Sequence, residues 1–260
     1  MAPTTLIATK RESTLFASVP KRPGTFHGVP GVEECTTCER RTDAFFCKLS
    51  PRAAQSLVEI RRTSSYPAGA ILFMEGEQAR GVYIVCDGRV KLLTTNSDGK
   101  TLIFKIAKPG EILGLNATLA GTPHEITAEA LQPARLAYIG REDFLKFIKE
   151  NGDACLHVAQ HLGRDCHSAY EVIRSIGLSN SVEEKLARFL VEWSAEAPIT
   201  SGVQRVKLAL THEEIAQLIG CSRESVSRSF SEFKRKHLVE VNGSTLLVTN
   251  KAALEQMAAM

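Results

Sequence analysis

Two groups of residues in this chain have the types and spacings that do chemistry. The first is Cys35-x2-Cys38-x8-Cys47, near the N-terminus. Thiolates packed that densely suit an iron–sulfur cluster or zinc. Cys86 is the candidate fourth ligand, although its setting, Tyr83-Ile-Val-Cys-Asp-Gly88, equally suits a small buried core residue. Seven cysteines are an odd number, and residues 1–31 hold no continuous apolar run of the signal-peptide kind, so a disulfide framework is not expected. The second group lies in Leu210-Thr-His-Glu-Glu-Ile-Ala-Gln-Leu-Ile-Gly-Cys-Ser-Arg-Glu-Ser-Val-Ser-Arg-Ser-Phe-Ser-Glu-Phe233. Its exposed side chains are expected to be Arg223, Glu224, Ser227 and Arg228. Arginine pairs bidentately with guanine, and glutamate accepts a hydrogen bond from the cytosine amino group. Lys234, Arg235 and Lys236 follow as candidate phosphate contacts.

These side chains read DNA only if helices hold them. Thr211 with Glu214 three residues on is a capping box that starts one helix, whose apolar face is Ile215, Leu218 and Ile219. Gly220 is suited to the left-handed position that ends it. Ser222 then caps a second helix, and Val226, Phe230 and Phe233 recur at spacings that turn them to a core. The first turns of that helix are what a helix-turn-helix protein presents to the major groove. A hairpin with Asn242-Gly243 at its turn follows, completing a winged helix-turn-helix.

Upstream, residues 50–62 predict a helix with Ser50 as N-cap and Pro51 at the first position. Residues 66–139 hold short β-rich runs (71–73, 82–85, 90–93, 102–106 and 135–139) punctuated by glycines, with Asp98-Gly99 as one hairpin turn. That pattern predicts a small antiparallel barrel or roll. Cys155, Ala159, Leu162, Cys166, Ala169, Ile173 and Ile176 are spaced 4, 3, 4, 3, 4, 3, a heptad seam whose simplest partner is a second copy of the same helix. Residues 181–195 predict another amphipathic helix, and 206–210 a brief strand.

Ile219-Gly-Cys-Ser-Arg-Glu-Ser-Val-Ser-Arg228 closely resembles the recognition helix of the Crp–Fnr family of transcription regulators, and the resemblance runs from about Cys35 to the C-terminus. It implies a cyclic-nucleotide-binding-type β-roll as sensor, a coiled-coil dimer helix, and control of RNA polymerase at a two-fold symmetric site with half-sites akin to TGTGA or TTGAT. The family's phosphate-gripping Arg-Ser pair is missing. Residues 121–127 place His124 and Glu125 roughly there, so cyclic AMP is not the expected ligand. The cysteines stand where the oxygen-sensing branch carries its cluster ligands, although the third is spaced further off and Ala137 occupies about the branch's fourth position. A 4Fe-4S cluster sensing oxygen or nitric oxide is the leading expectation. Zinc, a thiol redox switch, a small ligand in the roll, or a cluster site without a ligand remain open.

The expected fold is α+β. Residues 1–31 are expected to be a disordered tail, 32–150 the cysteine cluster and sensor roll, 151–178 the dimerisation helix, and 179–260 the winged helix-turn-helix. The expected protein is a cytoplasmic homodimer that binds double-stranded DNA, with no membrane segment. A net charge of +3 is too small to argue for nucleic acid by itself. There is no phosphate-cradling glycine loop, HExxH or nucleophile elbow, so no enzymatic activity is expected. A sensory binding module without a role in transcription is the alternative that the Arg223–Arg228 segment opposes.

Overall fold

A computed structural model describes residues 45–177, 181–195, 197, 199–200 and 203–258. Cys35 and Cys38 lie outside them.

A short 3-10 turn (Phe45–Lys48) leads into α1 (Pro51–Ile60). The Ser50 hydroxyl accepts the Ala53 amide, and proline at the first position loses no helical hydrogen bond. Eight strands follow: β1 (Arg62–Tyr66), β2 (Ile71–Phe73), β3 (Gly81–Asp87), β4 (Val90–Thr95), β5 (Thr101–Ala107), β6 (Ile112–Leu113), β7 (Thr127–Ala130) and β8 (Ala134–Gly140). They form two antiparallel four-stranded sheets, ordered β1-β8-β3-β6 and β2-β7-β4-β5. The expected turn joins β4 to β5. Asn96 Oδ1 accepts the amides of Asp98 and Lys100, and Gly99 takes φ +80°. Strands β1, β6 and β7 were not foreseen. In particular, β1 reads Arg-Thr-Ser-Ser-Tyr and is exposed along most of its length, so it shows no apolar alternation.

Helix α2 (Leu115–Ala120) interrupts the roll, and α3 (Arg141–Glu150) closes it with Phe144 and Phe147 buried. One core joins Ala53, Ala54 and Leu57 of α1 to Val82, Ile84, Ile139 and Phe144. Helix α4 (Gly152–Gly177) covers the expected long helix. Its two faces differ. Ala154, Val158 and His161 are buried, and His161 Nε2 lies 3.1 Å from the Ile112 carbonyl. Ala159, Cys166, Ala169 and Ile173 of the expected seam are exposed, whereas Leu162 is half-buried against the roll core. Cys155, Leu156 and Tyr170 are exposed along the same helix.

The C-terminal part comprises α5 (Val182–Ser194), β9 (Ile199–Thr200), β10 (Val203–Lys207), α6 (His212–Ile219), α7 (Arg223–Arg235), β11 (Val239–Asn242), β12 (Thr245–Val248) and α8 (Lys251–Ala258). The strand expected at 206–210 lies earlier, because Val203–Lys207 pairs with β12 while Leu208 and Leu210 turn into the core as connecting chain. The wing hairpin β11–β12 turns at Gly243, φ +60°, and with β10 and β9 makes a sheet ordered β11-β12-β10-β9. All described residues belong to the compact unit Val32–Met260.

Candidate nucleic-acid interface

Helices α6 and α7 are built from local signals. The Thr211 hydroxyl accepts the Glu214 amide at 3.2 Å, and Glu214 Oε2 accepts the Thr211 amide at 2.9 Å, a reciprocal cap. Helix α6 ends on Gly220, φ +67° and ψ +43°, whose amide reaches back to the Ala216 carbonyl. Only a residue at ease in the left-handed region turns the chain this way at low cost. Ser222 then accepts the Ser225 amide at 3.2 Å and starts α7. Val226, Phe230 and Phe233 are almost wholly buried, so the opposite face of α7 is turned to solvent.

That face carries most of the expected readers. Ser222, Arg223, Glu224 and Arg228 are exposed, as is Lys234 further along. The Glu224 carboxyl is held below the ordinary carboxylate range, first by its own backbone amide at the helix N-terminus and then by Ser222, with Arg223 and Arg228 adding to it. It is therefore an anionic acceptor flanked by two guanidinium donors. Ser227 differs from expectation. It is half-buried, and its hydroxyl lies 2.9 Å from His212 Nδ1. The His212 ring stacks on Phe230 with centroids 4.8 Å apart and planes 4° from parallel. Burial, together with the cations Lys234 and Arg223, holds this imidazole below its usual pKa. Nothing local in the sequence marks His212, since its partner lies fifteen positions away.

In the roll, His124 is 5% exposed and stacks on Phe73 at 3.9 Å, whereas Glu125 is exposed. Gly114, φ +71°, lies against this ring; a Cβ there would stand 2.9 Å from His124 Cε1. Burial lowers the His124 pKa despite Glu125 and Glu77, leaving a neutral ring where the resemblance places a phosphate-binding arginine. Cys47 is half-buried in the 3-10 turn. Cys86 is half-buried where the β3–β8 register shifts between Val85 and Asp87, and its Sγ lies 3.9 Å from the Ile84 carbonyl. It packs on the core that contains Leu49, two residues from Cys47. Among the described residues, no three histidine, cysteine or acidic side chains are grouped to hold a metal ion.

Two family models match the chain, the cyclic nucleotide-binding domain over residues 63–151 and the Crp-like helix-turn-helix domain over residues 184–257. The nitrogen fixation regulation protein FixK of Bradyrhizobium diazoefficiens is 26% identical over 231 residues, spanning 88% of this chain and 96% of FixK. The transcriptional activatory protein AadR of Rhodopseudomonas palustris is 27% identical over 225 residues, 86% of this chain and 92% of AadR. The cAMP-activated global transcriptional regulator CRP of Pasteurella multocida is 26% identical over 184 residues, 70% of this chain and 88% of CRP. The solved structure of FixK2 from Bradyrhizobium japonicum superposes with a TM-score of 0.69 at 22% identity, covering 77% of this chain and 98% of that one. With the roll, the long helix and the capped, arginine-bearing α7 in the same order, the chain belongs to the Crp–Fnr family of transcription regulators.

Proposed function

We propose that the chain regulates transcription by binding a two-fold symmetric promoter site as a homodimer and that its signal enters through the N-terminal cysteines. The observation that carries the DNA-binding part is α7, with Arg223, Glu224 and Arg228 exposed at its capped end while Val226, Phe230 and Phe233 anchor it from beneath. Arg223 and Arg228 supply bidentate donors for guanine, and Glu224 supplies an acceptor for cytosine. Lys234 contacts phosphate and fixes register. Regulators of this family bind DNA and act as homodimers. Here the exposed Ala159, Cys166, Ala169 and Ile173 of α4 form the stripe on which a second copy seats. RNA polymerase is the partner at the promoter, and the compartment is the cytoplasm.

Cys35, Cys38 and Cys47, with Cys86, are the residues that would hold an iron–sulfur cluster. Four soft thiolates are the donor set such a cluster takes, and Cys86 packs on the core that contains Leu49, two residues from Cys47. When bound, the cluster supplies a centre that oxygen or nitric oxide alters. The residues around it transmit packing. The Ser50 amide donates to Asp153 Oδ2 at 2.9 Å, tying the start of α1 to the start of α4. A change at the cysteines therefore has a short covalent and hydrogen-bonded route to the dimer helix. The second reading, a small ligand in the roll, is favoured by the match to the cyclic nucleotide-binding domain. The buried, neutral His124 argues against an anionic phosphate as that ligand.

Purification without oxygen, with the visible spectrum and iron, sulfide and zinc contents, tests the signal. A brown protein that bleaches in air supports the cluster. A colourless, metal-free protein that still retains specific DNA sinks it and moves the search to the roll.

A further inference from the structure

Strand β4 does more than close the roll. Lys91 Nζ lies 3.0 Å from Glu129 Oε1 on β7 and 3.0 Å from Glu214 Oε1 on α6. The lysine and Glu214 side chains are only 12% and 19% exposed. Glu214 is the residue whose other oxygen caps α6, so one carboxylate both begins the first helix of the reader and ties it to the roll. Two neighbouring contacts repeat the arrangement. The Arg89 guanidinium sits 4.4 Å above the ring of Trp193 in α5, and the indole N–H donates to the Lys207 carbonyl. Ile106 of β5 and Leu131, between β7 and β8, pack against the reader's own core. Charge, cation–π and apolar contact thus converge on one junction, while the reading residues of α7 stay exposed.

Resting on the DNA-binding reading above, we propose that Lys91 is a positioning residue for DNA recognition: by docking on Glu214 it holds α6, and with it α7, in the orientation that meets the groove. The ammonium is suited to this. Burial alone would lower its pKa, but hydrogen bonds to Glu129 and Glu214 outweigh that and keep it charged. Because the same ammonium also holds Glu129, a shift between β4 and β7 moves α6 directly, without passing through α4.

The test is a double-mutant cycle on the full chain with Lys91→Gln and Glu214→Gln, read as affinity for a specific DNA duplex. Glutamine at the third helical position keeps the capping box, so Glu214→Gln removes the ion pair and spares the helix start. Each single variant is expected to bind DNA about three- to tenfold more weakly, and the double variant no worse than either. Lys91→Arg, which keeps the charge, is expected to restore most of the affinity. The slope of log affinity against log salt should be unchanged in Lys91→Gln, whereas Lys234→Ala should lower it by about one. Trp193 is the sole tryptophan, so a shift of its emission in Lys91→Gln and Arg89→Ala without DNA reports undocking independently. Unaltered affinity in Lys91→Gln would overturn the proposal, whether or not Trp193 emission shifts. So would additive losses, tighter binding by Lys91→Gln, or a salt slope that falls as for a phosphate contact. Specific retention by the wild-type chain in the same assay stands or falls separately, on the DNA-binding reading alone.

Discussion

Arg223 and Glu224 occupy the first turn of α7, the part of a recognition helix that reaches base edges, and the helix N-terminus there favours a carboxylate. Arg223→Ala is expected to cost roughly 1–3 kcal/mol of discrimination at one base pair while binding to unrelated duplexes changes little; competition between matched and mismatched duplexes measures it. Two histidines have a different consequence. Burial depresses the pKa of both His124 and His212 below the ordinary imidazole value. The unfolded chain therefore takes up protons that the folded chain refuses, and native stability falls as pH drops below about 6.5. In denaturant titrations from about pH 7 to about pH 5, His124→Gln should show a shallower decline than wild type. An equally steep decline would mean that His124 has little part in it. The exposed arginines of α7 were legible because a capped helix with Val226, Phe230 and Phe233 on its buried face leaves Arg223 and Arg228 outside. His124, His212 and Lys91 acquire their roles from partners distant in sequence.

At the scale of the element, α6, its turn and α7 follow from four residues: Thr211, Glu214, Gly220 and Ser222. A Cβ at Gly220 would meet nothing within 4 Å, so substitution there costs only backbone strain. Gly220→Ala is expected to destabilise by about 1–2 kcal/mol, and Gly220→Asn by less, since asparagine tolerates the left-handed region. Equal melting temperatures for the two variants would contradict this. Thr211→Ala removes a cap and should cost about 1 kcal/mol in the same assay. These signals act within one turn of the chain, which is why the helix-turn-helix was readable. Strand β1 was not: it is an edge strand with a polar, exposed sequence, and its pairing with β8 spans most of the roll. Strand β7 alternates buried alanines with half-buried residues, a contrast too small for the eye to find.

Across the whole molecule, α4 has one face in the roll core and another exposed. Leu162 lies toward the core, so the stripe left for a second copy runs through Ala159, Cys166, Ala169 and Ile173. Ile173 is 66% exposed, so a charge there should not disturb the fold of a single chain. Ile173→Glu is expected to shift sedimentation from dimer toward monomer and to weaken binding to a two-half-site duplex far more than to a single half-site. A dimer that persists in this variant would move the interface elsewhere.

The sequence by itself determined the helix-turn-helix and its wing, the first helix, the hairpin at Gly99 and the existence of the long helix. In each case the cause lies within one element: a cap, a left-handed glycine, or a heptad stripe along a single helix. Only the tertiary structure decided which face of α4 is spoken for, that a buried imidazole stands on Phe73, and that Lys91 bridges the roll to Glu214. Lys91 and Glu214 are 123 positions apart, and no local propensity records a pairing that exists only once both domains have folded and docked.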